Sequence, residues 1–347
     1  MPVSFCLANT NRKGRIYGVI MEADIKQLEA FIHRFSHFII TTHANPDADG
    51  LGAELLLREL LISLGKEVCI LNSDPTPERH LFMDPAGHIK AFKEGVPPFP
   101  SEKTGVCIVD TSDEYNIGPV QEVLFQKMAH FFIVDHHEPS PLTQLPVYSD
   151  TDAAATSEII ADLVRLYNVP ISRQGAMAAY AGLVYDTGSF IYPKTTSRTF
   201  KTALFLVEAG AVPSEVYQAL YETASIGALL LQKKVLSTLE IQGNGHVALQ
   251  YMTKEDLLET GAAYEDAEHF INLPLKSRDI EVSIFIKQNL DGVIRCSFRS
   301  KGAINVASIA QGFGGGGHKN AAGFKSSDNL EETRQKVLQR VLPLFKG

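Results

Sequence analysis

Three apolar runs in the first half of the chain each stop on an acid or an imidazole, and this repetition restricts the possible folds most severely. Phe38-Ile39-Ile40 leads to His43, Asp47 and Asp49; VCIV (106–109) runs into Asp110; HFFIV (130–134) runs into Asp135, His136 and His137. Runs this rich in β-branched and aromatic residues read as buried strands. Helix patterns alternate with them, and EVCIL (67–71) reads as a further strand. Parallel strands are covered on both faces and expose chemistry only at their carboxyl ends. The expected class is therefore α/β, with a parallel sheet, flanking helices and one shared site along a single sheet edge.

The stretch from Thr41 to Gly50, TTHANPDADG, is the densest part of that edge. Asn45-Pro46 forces a turn because proline fixes its own φ and restricts its predecessor. Asp47 and Asp49 follow, and Gly50 begins a long amphipathic segment, LGAELLLRELLISLG. Two carboxylates so close repel each other unless something holds them ionised. Capping a helix would account for one of them, but not for His43 or the recurrence downstream. Asp186 adds a fourth convergent position, where the small-residue helix pattern AAYAGLVYD meets Thr-Gly. Oxygen ligands with a few imidazoles and no thiolate suit Mn²⁺ or Mg²⁺, with Fe or Co as alternatives. There are carboxylates enough for two ions with one bridging Asp, a pairing that activates water and neutralises phosphoryl charge.

The length of 347 residues predicts two domains. Residues 1–20 read as a peripheral extension, or an upstream start-codon choice, and Met21 opens the amphipathic helix MEADIKQLEAFIHRF. A first domain is placed at 21–215, a helical connector at 216–240 and a smaller α/β domain at 241–347. The strands of the last are HVALQYM (246–252), EVSIFIKQ (281–288) and GVIRCSFRS (292–300), and NLEETRQKVLQRVLPLF closes the chain as a helix. The net charge of −8 argues against coating long nucleic acid, which requires many neutralised phosphates. No apolar run is long enough to span a bilayer, and the N-terminus lacks the core of a secretory signal. Four scattered cysteines suggest neither a disulfide framework nor a zinc site, so a cytoplasmic protein without membrane contact is expected.

HANPDADG, VDTSD, VDHH and YDTGSF, in that order, resemble the four motifs of the DHH phosphoesterase superfamily. FRSK…INVASIAQGFGGGGHKNAAGF resembles its DHH-associated substrate domain. The resemblance implies that His43, Asp47 and Asp110 hold one divalent ion, and that Asp49, Asp110, His136 and Asp186 hold a second, most simply Mn²⁺, with Mg²⁺ or Co²⁺ as substitutes. It implies a phosphate-facing His137 and an Asp135 that orients His136. Ala53 departs from the Gly-Ser common after the first motif, which costs a hydroxyl and no ligand. Gly312, Gly314 and Gly317 fit G-x-G-x-x-G, but a helix precedes them and no βαβ unit follows, so a dinucleotide fold is rejected. The resemblance instead implies substrate phosphate on Arg299, Ser300, Gly316, Gly317 and His318, in a cleft between the domains. A two-domain chain of this kind looks most like the bifunctional oligoribonuclease and pAp-phosphatase group, which implies short RNA, dinucleotides and 3′-phosphoadenosine 5′-phosphate (pAp) as substrates, and makes a homodimer plausible. Alternatives are an exopolyphosphatase, a linear or cyclic dinucleotide phosphodiesterase, or a non-catalytic nucleotide- or RNA-binding module.

Overall fold

The computed structural model describes residues 17–345, so the proposed extension falls largely outside the described residues. They form two compact units that divide between Thr223 and Ala224. The first contains, in order, α1 (Tyr17–Arg34), β1 (His37–Thr41), α2 (Ala48–Ser63), β2 (Glu67–Asn72), β3 (Ile89–Ala91), β4 (Thr104–Val109), α3 (Val120–Lys127), β5 (Phe131–Asp135) and β6 (Val147–Ser149). Four helices complete it: α4 (Thr156–Tyr167), α5 (Arg173–Asp186), α6 (Ser197–Glu208) and α7 (Pro213–Tyr221).

Its six strands form one sheet in the order β3-β2-β1-β4-β5-β6, and every neighbouring pair is parallel. Alternate residues feed two cores. Phe38, Ile40, Cys107, Val109 and Val134 pack with α2, α4 and α5 on one face, while Ile39, Val106, Ile108 and Ile133 pack with Val120 and Leu124 of α3 on the other. The strand order reverses between β1 and β4, which opens a crevice at their carboxyl ends, the usual ligand position in an open α/β sheet.

The segment after Gly50 is buried more completely than an amphipathic helix would be. α2 is enclosed along most of its circumference, and Glu54, which an amphipathic reading turns to solvent, is wholly buried. Small residues explain this. A Cβ at Gly52 would meet the Ala178 carbonyl oxygen at 2.6 Å, so α2 and α5 pack backbone against backbone. β3 and β6 were not anticipated, because three residues are too few to display a period of two.

The second unit contains α8 (Ile226–Ser237), β7 (Glu240–Gln242), β8 (Val247–Met252), α9 (Lys254–Thr260), β9 (Val282–Gln288), β10 (Ile294–Ser300), α10 (Val306–Gln311), β11 (Gly316–His318), β12 (Ala321–Ser326) and α11 (Leu330–Val341). The sheet order is β11-β12-β10-β9-β8-β7, antiparallel except for β8 with β9. The run expected as a connector is divided: α7 belongs to the first unit and α8 to the second, with Ser225 capping α8 through a bond from the Ala228 N–H. Among the described residues no helix is long and apolar enough to cross a membrane.

Candidate metal centre

β1 ends at Thr41, and the chain turns through Asn45, at φ 54°, to start α2. Asp47 is the N-cap of that helix, its Oδ1 accepting from the N–H groups of Asp49 at 3.0 Å and Gly50 at 3.3 Å. It therefore both caps and faces the crevice. The His43 Nδ1–H must donate to the Ala44 carbonyl, 2.9 Å away, because a carbonyl can only accept. That fixes the tautomer and leaves Nε2 towards Asp47 Oδ1 at 3.8 Å and Asp110 Oδ2 at 3.7 Å.

Asp110 follows β4 with φ 58°, in the left-handed region that non-glycine residues adopt rarely and that concentrates at functional sites. It is buried, and its two oxygens point to different imidazoles: Oδ2 to His43, Oδ1 to His136 Nε2 at 3.6 Å. The Thr156 hydroxyl donates to Oδ1 at 2.9 Å. Asp49 lies deeper and is fully buried. Its Oδ2 accepts from the Thr156 N–H at 2.6 Å and its Oδ1 from the Ser157 N–H at 2.9 Å, so it caps α4, whose own preceding residue, Ala155, has no side chain able to do so. Gly182 of α5 makes room for it, since a Cβ there would meet Asp49 Oδ1 at 2.9 Å and the Ala48 carbonyl oxygen at 3.0 Å. Asp186, at the end of α5, places Oδ2 3.1 Å from His136 Nε2.

Potential ligand atoms thus gather into three overlapping groups, each with its atoms within 4.8 Å of one another: the triads His43–Asp47–Asp110 and Asp49–His136–Asp186, and a third group of Asp110, Asp135, His136 and His137. Asp110 stands between the two triads. The titration behaviour shows what this crowding costs. Burial, and then the charges of Asp110 and Asp186, push Asp49 well above the ordinary carboxylate range. Burial likewise raises Asp186. Burial alone would lower His43, but Asp110 and Asp47 overcome it and carry the imidazole up to about 11. Nε2 of buried His136 faces only the carboxylates of Asp186 and Asp110, without a well-aligned hydrogen bond, and its Nδ1 and Asp135 Oδ2 have no hydrogen-bond partner among the described residues. A buried imidazole nitrogen turned towards crowded carboxylates is the donor set a divalent cation satisfies.

One expectation is corrected. Asp135 does not hold the His136 ring: its Oδ1 accepts from Nδ1 of His137 at 2.8 Å and from the His136 backbone N–H at 2.8 Å. In near-extended chain, residues two apart share a side and adjacent ones do not. Asp135 thereby raises the pKa of half-exposed His137, with burial opposing it.

The sequence reading also missed residues. Lys194, beyond Asp186, donates to the His136 carbonyl at 3.3 Å and lines the same cleft, of about 890 Å³, as His43, Asp47, Asp110, His137 and Asp186. Beneath β1, Asn72 accepts from the Thr42 N–H and the Thr41 hydroxyl, both at 3.3 Å, and donates to Glu54 at 2.9 Å; burial lifts Glu54 to about 8. Thr156 and Ser157 were legible only as a helix start.

In the second unit, Arg299 and His318 both pair opposite Ala321, one across β10–β12 and the other across β11–β12, so they share a sheet face. Ser300 serves differently than expected: its hydroxyl donates to the Ile304 carbonyl at 2.8 Å and accepts from Asn320 at 3.0 Å. That spends its only proton on loop structure. Gly316 and Gly317, expected to meet substrate phosphate, lie in an edge strand. A Cβ at Gly317, φ 140°, would meet the Ala321 carbonyl oxygen at 2.5 Å, so close strand approach itself requires glycine there.

Comparison with known proteins gives a consistent result. The family described as DHH family, N-terminal domain, matches residues 37–185, and the DHHA1 domain matches residues 244–346. Over 306 residues the chain is 29% identical to the bifunctional oligoribonuclease and PAP phosphatase NrnA of Thermus thermophilus, covering 87% of this chain and 88% of that one. The Bacillus subtilis protein of the same name is 27% identical over 296 residues, covering 84% and 90%. Among solved structures, an exopolyphosphatase-related protein from Bacteroides fragilis superposes with a TM-score of 0.79 at 26% identity, covering 94% of this chain and 98% of that one.

Proposed function

Because the chain belongs to the DHH family through residues 37–185 and carries a DHHA1 domain over 244–346, we propose that it is a metal-dependent phosphoesterase acting on short oligoribonucleotides, linear dinucleotides and pAp. The observation that carries this reading is the pair of ligand triads with Asp110 between them. In it, His43, Asp47 and Asp110 hold one ion, and Asp49, Asp110, His136 and Asp186 the other, with Mn²⁺ preferred. Two such ions, when bound, activate water near neutral pH and neutralise phosphoryl charge.

The chain's own groups do the rest. The Nδ1–H of His137, committed to Asp135, leaves Nε2 available, and the carboxylate favours the protonated ring. His137 can therefore hold a proton at Nε2 for the departing oxygen. Lys194 is a cation on the rim of an otherwise acidic cleft. Arg299 and His318 supply paired contacts for substrate phosphate on the second unit, Arg299 as a cation with the option of two parallel bonds and His318 as an imidazole N–H donor. A cytoplasmic location and a homodimer complete the proposal; the latter is supported by the exposed apolar stripe Phe200, Leu204 and Val207 on α6.

The test is hydrolysis by the purified chain with Mn²⁺ of pAp, of two- to five-nucleotide RNAs and of polyphosphate. Turnover of pAp and short RNA is expected. Inertness towards both, with release of orthophosphate from polyphosphate, overturns the substrate assignment in favour of the exopolyphosphatase reading.

A further inference from the structure

One face of the second unit's sheet, covered over β8 and β9 by residues of α8, α9 and the 264–271 segment but exposed at Arg295 of β10 and Lys325 of β12, carries cations in an arrangement that the fold does not need. Arg295 on β10 pairs directly opposite Lys287 on β9 and Lys325 on β12. Side chains of directly opposed residues project to the same side, and like charges so placed destabilise a sheet. Among the described residues, none of the three has a carboxylate within ion-pair distance. Lys287 rests on the Tyr264 ring, its Nζ 4.6 Å from the centroid, and Arg295 and Lys325 are exposed. Glu265 and Glu268 of the covering segment act on Lys287 only as more distant charges, and its pKa is lowered, chiefly by burial.

The row continues. Ser297 and Arg299 follow Arg295 on the same face at alternate positions, while Cys296 and Phe298 turn into the core. Gly323 lies opposite Ser297, and Ala321 lies opposite Arg299 and His318. The floor between the two basic ends is thus Ser297, Gly323 and Ala321, small and without charge. From Arg295 to Arg299 is about 13 Å at the rise of a strand. A single phosphate cannot touch both ends; a chain of linked phosphates can.

We propose that Arg295 and Lys325, with buried Lys287 behind them, form a second anion subsite, which takes a backbone phosphate of a single-stranded oligonucleotide roughly two nucleotides away from the phosphate held at Arg299 and His318. This rests on the function proposed above and deepens it: the subsite rewards RNAs longer than a dinucleotide and is out of reach of pAp. The small floor leaves space for the sugar-phosphate chain, and base identity is not read.

The test uses the full chain with R295A and R295A/K325A substitutions, both at exposed positions, with R295K as the conservative control. Binding of a 5′-labelled RNA pentamer is followed by fluorescence anisotropy in EDTA across a salt series, and kcat/KM is measured with Mn²⁺ for pentamer and pAp. The double variant should weaken pentamer binding about tenfold and reduce the slope of log K against log salt by about 1.4, the value for two lost phosphate contacts on a single strand. The pentamer-to-pAp ratio of kcat/KM should fall with it, and R295K should restore most of the loss. An unchanged pentamer affinity, a parallel loss on pentamer and pAp, or tight binding of polyphosphate with none of RNA overturns the subsite. Since the binding arm does not depend on turnover, Arg295-dependent RNA binding by an enzyme inert to both substrates would remove the proposed reaction and leave the subsite standing.

Discussion

Asparagine at Asp110 tests the two-triad geometry most directly. Asn and Asp tolerate the left-handed φ of 58° about equally, so the substitution adds little backbone strain. An amide oxygen can still accept from the Thr156 hydroxyl. The change removes a negative charge that raises Asp49, so the metal-free fold should not suffer. The metal-loaded protein should. A ligand at 100 times its dissociation constant stabilises the folded state by about 2.7 kcal/mol per site, hence about 5 kcal/mol for two ions. For a unit of this size each kcal/mol is worth roughly 2–4 °C, so saturating Mn²⁺ should raise the first unit's melting temperature by roughly 10–20 °C. D110N, which removes the shared carboxylate, should abolish nearly all of that rise, and D47N about half. Calorimetry paired with metal analysis reads both: two ions per wild-type chain, one for D47N, fewer than one for D110N. If D110N keeps two ions, or D47N loses both, the triads are not the binding units and the reasoning fails.

Four further outcomes follow from the same geometry. Asp49 and Asp186 have raised pKa values when folded, so the stability they contribute without metal is present below the ordinary carboxylate range and lost as pH rises through their raised values; ions need these groups deprotonated, so the Mn²⁺-induced rise in melting temperature should grow from pH 5.5 to pH 8. His43, raised to about 11, must shed a proton to bind an ion at neutral pH, and titration calorimetry in buffers of differing ionisation enthalpy should register that release. D135N should leave two bound ions but lower kcat about 10- to 100-fold, because it weakens the hold on His137 while its side-chain oxygen still accepts one hydrogen bond; a loss of metal instead would assign Asp135 to the ligands. G182A should destabilise the first unit by about 1–3 kcal/mol in thermal unfolding and weaken metal binding, since the added methyl meets the Ser157 hydroxyl and Asp49 Oδ1.

The legible part of this molecule is the part in which one residue's neighbours in sequence determine its setting. Apolar strand runs that end on acid or imidazole announced β1, β4 and β5, and the positions of His43, Asp47, Asp49, Asp110 and His136 just beyond those strands were readable for the same reason, while Asp186 was signalled by the end of a small-residue helix pattern. What stayed hidden depends on long-range contact. The burial of Glu54 stayed hidden because the pattern of α2 alone cannot reveal a second helix pressed against its polar side, although Gly52 and Gly182 were the visible clue. Asp135 was assigned to the wrong imidazole because motif order does not say which way a ring turns. The glycine run showed no strand pattern, whereas the register of β11 against β12 places Gly316 and Gly317 in an edge strand. The row at Arg295 appears in no motif, since it exists only once three strands are aligned.

The carboxylates that crowd this crevice must be held there before any cation arrives, and helix termini provide the means. Asp47 takes two N–H groups at the start of α2, and Asp49 takes two at the start of α4, 107 and 108 residues downstream. Both sit where the helix dipole favours negative charge. The terms balance differently at the two sites. Half-exposed Asp47 is held below its ordinary pKa against the effect of burial, by His43 and by the N–H groups. At fully buried Asp49, burial and the neighbouring acids outweigh the same kind of support. The Asp49–His136–Asp186 triad is therefore the one whose charge the protein leaves least compensated, and it should draw its cation more strongly with rising pH than the triad around His43.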